Sequence, residues 1–310
     1  MREKFIYTKP ETKERPLTRV EQLFINLKEQ YKTQVKALYE VGVLELMADG
    51  KNVGYVDYKG QEKPLPSYDE IIARMESQYE LLEKKFKQGF TQLNLTAQLI
   101  PLSFLTDRVR DEILKAKKER RLKSTSGEEL ELYEKQPLYI NDEYKDVDTN
   151  GSLVYFPTQY TEKDHGGLTK EELEGDERLL NGFLISLTED QPDLPSQGKG
   201  KTVEGRKQLE ANMTPEQYLK LLQTDPQYFK ESGQTPEQWL TYFMTNLKQG
   251  RVVDDYQGKG KVNWNLAGFF KGSGLVSLSD WDRDYQAAGL GRNRQVERGD
   301  VNGFRSSVNI

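Results

Sequence analysis

Cysteine is absent from all 310 residues, and histidine occurs once. The first absence excludes disulfides, zinc–thiolate sites, thiol nucleophiles and iron–sulfur clusters. The second leaves His165 as the only imidazole for a Ser–His–Asp triad. It sits in Lys163-Asp164-His165-Gly166-Gly167, a glycine-rich turn with no nucleophile motif beside it. Long apolar runs are missing too, so no membrane span is expected. The start, Met1 to Pro10, is charged and has no apolar h-region. No secretory signal is expected, and the location expected is cytoplasmic or virion. Charge of one sign is also scarce: the net value is −5, which argues against general nucleic-acid binding through phosphate neutralisation. The aliphatic and aromatic share is a low 35%, but 17 Tyr and 12 Phe supply enough apolar area for a core.

The first part of the chain reads as helical. A polar arm, 1–16, leads to Thr18-Arg19-Val20-Glu21, a capping box with Leu17 placed for a hydrophobic staple. Leu23, Phe24, Leu27, Tyr31, Val35 and Leu38 then recur at helical spacing, with a stop expected near Ala48-Asp49-Gly50. Val53 to Tyr58 alternates like a short strand. Ser67-Tyr68-Asp69-Glu70 is a second capping box, opening a helix that carries Ile71, Ile72, Met75, Tyr79, Leu82 and Phe86. A third helical run, 106–122, ends in the basic stretch Lys115 to Lys123, read as a solvated face. The chain loosens at Lys123-Ser124-Thr125-Ser126-Gly127, which sets an expected boundary. Residues 1–125 would form a mainly helical docking or oligomerisation region, and 126–310 a second domain.

Beyond it, Gly151 to Phe156 and Gly182 to Leu187 read as strands, and Pro192 to Gly205 as a flexible loop. Two helices open alike: Thr214-Pro215-Glu216-Gln217 and Thr235-Pro236-Glu237-Gln238 each place Thr at the N-cap, Pro first and Gln at the third helical position. The second is expected to stop at Gly250, with loops, turns and short strands after it. Gly198-Lys199-Gly200-Lys201-Thr202 looks like the end of a phosphate-binding loop, but Pro195 stands where that loop needs its first glycine. Asp280-x-Asp282-x-Asp284 opens like a calcium loop, but Tyr285 and Gly291 replace the required Gly and Glu. No spacing singles out a pair of catalytic carboxylates.

The last fifty residues are the most suggestive. Trp, Tyr, Arg, Asn and Asp are dense, glycines punctuate, and Trp264, Phe269, Phe270, Leu275, Phe304 and Val308 offer apolar anchors. Aromatic rings and guanidinium groups supply large contact area at low entropic cost, as recognition surfaces require. The ordered set Trp281…Arg283…Gln286-Ala287…Leu290…Arg294…Gly303-Phe304-Arg305-Ser306-Ser307-Val308 resembles the end of the variable proteins of diversity-generating retroelements. Thr235 to Leu240, Val253-Asp254-Asp255-Tyr256 and Gly268-Phe269-Phe270 resemble their lead-in. The resemblance spans about 180–310 and leaves the first 120 residues or so unmatched.

The resemblance implies an α+β fold: a helical N-terminal region followed by an irregular C-type-lectin-like domain of the formylglycine-generating-enzyme type, with short strands and long loops. Phe304 would be core, and Arg305 would hold an internal hydrogen-bond network. Trp281, Asp282, Arg283, Asp284, Tyr285, Asn293, Arg294 and Asn302 would line an exposed, diversified ligand-binding face. The enzyme side of that superfamily does not carry over, because formylglycine generation needs active-site cysteines. The function expected is non-enzymatic display: a protein or glycan ligand bound through the C-terminal face, with a homo-oligomer or assembly partner on the N-terminal helices and no cofactor or metal. The alternative is a structural component of a phage-like virion or other large assembly.

Overall fold

The computed structural model describes residues 19–190, 194–251 and 261–310. The polar arm, the capping box at Thr18, Pro192 and the Val253–Tyr256 segment lie outside them. The first part runs α1 (Arg19–Glu40), β1 (Glu45–Leu46), β2 (Val53–Val56), β3 (Glu62–Pro64), α2 (Tyr68–Glu76), α3 (Tyr79–Lys87), β4 (Phe90–Ala97) and α4 (Leu102–Lys118). Next come β5 (Leu138–Ile140), α5 (Val147–Asn150), β6 (Leu153–Tyr155), α6 (Lys170–Leu173), β7 (Leu179–Leu180), β8 (Phe183–Glu189), β9 (Thr202–Val203) and β10 (Arg206–Lys207). The chain closes with α7 (Pro215–Thr224), β11 (Glu231–Ser232), α8 (Pro236–Lys248), β12 (Val262–Phe270), β13 (Leu275–Asp282), β14 (Ala287–Arg294), β15 (Asn302–Gly303) and β16 (Ser307–Asn309). The class is mixed α+β.

Two sheets dominate. One has the order β11-β16-β8-β4, with β7 also on β8; the other has the order β15-β12-β13-β14-β5, with β6 also on β12. Helix α8 packs between them, against β4, β12 and β13, and also touches α1 and α4. It starts where the capping box predicts: Thr235 Oγ1 accepts from Gln238 N, and Gln238 Oε1 accepts from Thr235 N. Its N-terminus reaches the sheet only because Gly268 has no side chain; a Cβ there would lie 2.9 Å from Pro236 Cδ. Trp239 stacks on Phe243 at 4.9 Å, and Phe243 is parallel to Trp281 at 6.5 Å, giving the core an aromatic column.

Several expectations change. Helix α1 ends at Glu40, well before Gly50: Gly42, at φ +76°, turns the chain, and Val43 N and Leu44 N both donate to Leu38 O. The helix opened by Ser67 is two helices, because Ser77 N and Gln78 N close on Ala73 O and Met75 O and Ser77 Oγ bonds Arg74 O. The predicted loosening at 123–127 is a tight reversal in which Leu130 N returns to Leu122 O and Ser124 is buried. No break in the core follows it, since one apolar cluster runs from Leu27 to Ile310.

Strand β4 lies inside the region expected to be helical and pairs with β8 from Phe90↔Glu189 to Ala97↔Phe183. On its free side two glutamines of α1 take the place of a further strand. Gln30 donates to Thr91 O and accepts from Leu93 N; Gln34 donates to Leu93 O and accepts from Leu95 N. Residues four apart on a helix rise about 6 Å, close to the two-residue repeat of a strand, so each amide meets one open N–H and C=O pair. An otherwise bare edge is thereby closed.

The C-terminal segment is not short strands and loops. β12, β13 and β14 have nine, eight and eight residues and carry continuous antiparallel pairing, apart from one bulge in β12. Asn263, Asn265, Ser277 and Ser279 lie on the inner face and satisfy one another: Asn263 Nδ2 and Ser279 Oγ donate to Asn265 Oδ1, and Asn265 Nδ2 donates to Ser277 Oγ. A second apolar cluster packs Trp264, Leu266 and Phe269 with Tyr218, Tyr228 and Phe304 on the opposite face. Phe304 is buried, and Arg305 N donates to Asn263 Oδ1 while its guanidinium lies over the Tyr242 ring at 4.7 Å. The burial of Phe304 is what the resemblance implied for it.

Candidate functional site

The eight residues expected to form one face are divided by the β13–β14 hairpin. Trp281 is fully buried and does not contact solvent. The alternation Asp280-Trp281-Asp282 explains this correction, since successive residues of a strand face opposite ways and the indole takes the core side. Asp282 ends β13 and caps the turn, its Oδ1 accepting from Asp284 N (2.8 Å) and Tyr285 N (3.1 Å). The middle carboxylate of the calcium-like Asp280-x-Asp282-x-Asp284 spacing is thus part of the turn. Arg283 is within 3.5 Å of Glu128, and Tyr285 is 74% exposed at the tip. Asn293 and Arg294 lie at the other end of the hairpin, where the register pairs Leu275 with Arg294 against Asp282 with Ala287 at the tip. Seven residue steps of strand separate the two groups by roughly 23 Å. Asn302 is in β15, its carbonyl accepting from Asn212 N. The eight therefore do not converge.

The other motifs are occupied internally. Glu210 holds the Gly198–Thr202 loop: Gly198 N donates to its Oε2 (2.9 Å) and Gly200 N to its Oε1 (2.8 Å). The amides that would bind a phosphate bind a carboxylate instead, and they hold Glu210 below the usual carboxylate range, Gly198 N–H contributing most. His165 serves its own turn, with Nδ1 accepting from Gly167 N at 3.0 Å. Among the described residues no group of three His, Cys, Asp or Glu is arranged to hold a metal. No helix among them is long and apolar enough to cross a membrane.

A concavity lies elsewhere. A groove of about 1070 Å³ runs between the α2–α3 junction, the turn after β6, the segment before β7, α7 and β11. Leu222, Leu266 and Ile310 give it an apolar floor, and Tyr79, Arg178, Gln223 and Asn309 supply polar groups at its walls. Arg178 is fixed from two sides: its Nε is 2.6 Å from Asp176, and its guanidinium stacks over Phe156 at 4.5 Å. Arg74 donates to Glu177 O and ties the α2–α3 junction to the opposite wall. Two wall residues other than glycine have left-handed backbones, Phe156 at φ +53° and Lys230 at φ +63°. For a bulky aromatic residue that conformation costs about 1–3 kcal/mol and concentrates at ligand sites.

Beneath the groove, β11 carries Glu231 into a buried charge cluster. Arg206 grips it with Nε and Nη2, both at 2.7 Å, Lys85 Nζ reaches it at 2.6 Å, and Ser306 Oγ at 2.6 Å. Burial pushes Lys85 below the usual ammonium range and Glu189, beside Arg206, above the usual carboxylate range. The cluster pins α3, β10, β11 and the carboxyl end under one wall of the groove.

No family model, no curated protein and no solved structure matches this chain. The groove had no local signal in the sequence. Its walls come from segments between Arg74 and Asn309, and neither Phe156 nor Arg178 belongs to a motif.

Proposed function

We propose that the chain is a non-enzymatic ligand-binding protein and that the groove takes an extended polar ligand, a glycan or a peptide. The observation that carries this reading is the groove itself, with a guanidinium fixed against Phe156 and that aromatic residue held at φ +53° on its wall. A stacked guanidinium and aromatic rings above an apolar floor suit sugar faces and peptide planes. Binding to a glycan and peptide array by the full chain tests it. Arg178→Glu should abolish the binding, and Tyr285→Ala should leave it intact. An array with no specific binder would sink the reading.

A second reading places recognition at the hairpin tip, as the retroelement resemblance implies. Its support is the exposed Tyr285 on a turn fastened by Asp282, above a strand pair anchored by Trp281. The C-type-lectin-like fold of 126–310 belongs to this proposal, with buried Phe304 and Arg305 in its favour. The coding locus decides it. A near-copy of the DNA for 263–302, differing mainly at adenines and lying beside a reverse-transcriptase gene, is required. If binding is lost in Tyr285→Ala and kept in Arg178→Glu, the tip replaces the groove as the site.

A further inference from the structure

Lys170, the first residue of α6, is fully buried with three oxygen partners. Its Nζ lies 2.5 Å from Asp148 Oδ1, 3.0 Å from Glu237 Oε1 and 2.8 Å from Ile100 O. The other oxygen of Asp148, Oδ2, accepts the backbone N–H of Leu102 at 2.9 Å, at the start of the 17-residue helix α4. Glu237 is itself held, Tyr155 OH donating to Oε1 at 2.6 Å and Gln98 Nε2 to Oε2 at 3.1 Å. A primary amine, a carboxyl group with an N–H aimed at one oxygen, and a second carboxylate in contact with the amine are the parts of an acyl transfer. Nothing in the ligand-binding proposal uses them.

We propose that Lys170 and Asp148 join in an intramolecular amide, with Glu237 as the proton carrier. The resting pair is ammonium and carboxylate. One proton crosses the 2.5 Å contact from Nζ to Oδ1, leaving an amine and a carboxylic acid. Burial favours the neutral pair, but Glu237 and Asp148 hold Lys170 above the usual ammonium range, so this exchange is an uphill step of the reaction. The Nζ lone pair then attacks Asp148 Cγ and forms the N–C bond. Negative charge collects on Oδ2, facing Leu102 N–H and the positive end of α4. Glu237 takes a proton from the attacking nitrogen and returns it to the Oδ1 hydroxyl, which leaves as water. The Oδ2 carbonyl re-forms, and Glu237 ends as it began. The ammonium and carboxylate become an amide and one water, and no oxidant or reductant takes part.

The product ties α5 to α6 and closes the segment 148–170, which carries Phe156 and Pro157 on the wall of the groove. The link would keep that loop covalently closed even when the chain is denatured.

Intact mass of the full chain, measured after denaturation, tests the proposal. The expected mass is one water below that of the sequence, with a branched proteolytic peptide joining the segments around Asp148 and Lys170. Lys170→Arg keeps the cation but lacks a primary amine, so it should return to full mass. A wild-type chain that unfolds cooperatively yet has its full sequence mass overturns the proposal. So does a water deficit that persists in Lys170→Arg, which would place the dehydration elsewhere.

Discussion

The two buried charge clusters are inverses of each other. In one, the Glu231 carboxylate lies between two cations, Arg206 and Lys85, with Glu189 on the far side of Arg206. In the other, the single nitrogen of Lys170 lies between two carboxyl groups, those of Asp148 and Glu237. Each joins segments far apart in the chain, and each puts its central group wholly out of water. They differ in how they can relax when the centre is lost. Carboxylates stripped of their cation can take up protons, whereas a guanidinium stripped of its anion stays charged throughout the accessible pH range. The Glu231 cluster should therefore be the more brittle of the two.

The largest effect should come from breaking it. Glu231→Ala leaves Lys85 buried without its anion and Arg206 with Glu189 alone, and should lower stability by about 3–5 kcal/mol in denaturant unfolding, with little relief at any pH. Lys170→Met sharpens the contrast. It should cost about 3 kcal/mol at neutral pH, and the loss should shrink on acidification. Two buried carboxylates left without their cation can be neutralised by protonation, which a guanidinium cannot. Equal pH responses in the two variants would erase the distinction.

A smaller effect tests how α1 is attached. Gln34→Ala removes one of the two side-chain amides on the β4 edge and should cost about 1 kcal/mol. It should also raise self-association in sedimentation, because an open strand edge is a template for pairing. The smallest effect concerns Glu210, whose carboxyl is held low by the amides of Gly198 and Gly200. Its contribution is present above the unfolded carboxylate pKa and lost as pH falls through the lower folded value. An NMR titration should show the Gly198 and Gly200 amide shifts moving together with Glu210, at a midpoint below that of an ordinary glutamate.

Legibility in the sequence tracked the range of the interactions involved. The capping boxes at Ser67, Thr214 and Thr235 form as predicted, since each is closed by residues three positions apart. β4 was missed because Gln92 and Asn94 make its outward positions look like loop, and its two partners, β8 and the α1 glutamines, are remote. The three long C-terminal strands were missed for a related reason. Asn263, Asn265, Ser277 and Ser279 break the apolar pattern, yet they are buried because they bond one another across two strands. The retroelement resemblance puts Trp281 on the contact face, although period-two alternation turns it inward.

Local chemistry written into the sequence therefore settled where three helices begin, that thiol chemistry is absent, and that apolar anchors lie near the carboxyl end. Tertiary structure decided which polar residues are buried, how the edge of β4 is closed, and that remote segments wall one groove. Those outcomes rest on hydrogen bonds and ion pairs between residues often more than a hundred positions apart, such as Lys85 with Glu231 and Gln98 with Glu237. A polar side chain becomes affordable in the core only when its partner arrives, and the partner's position is a property of the fold.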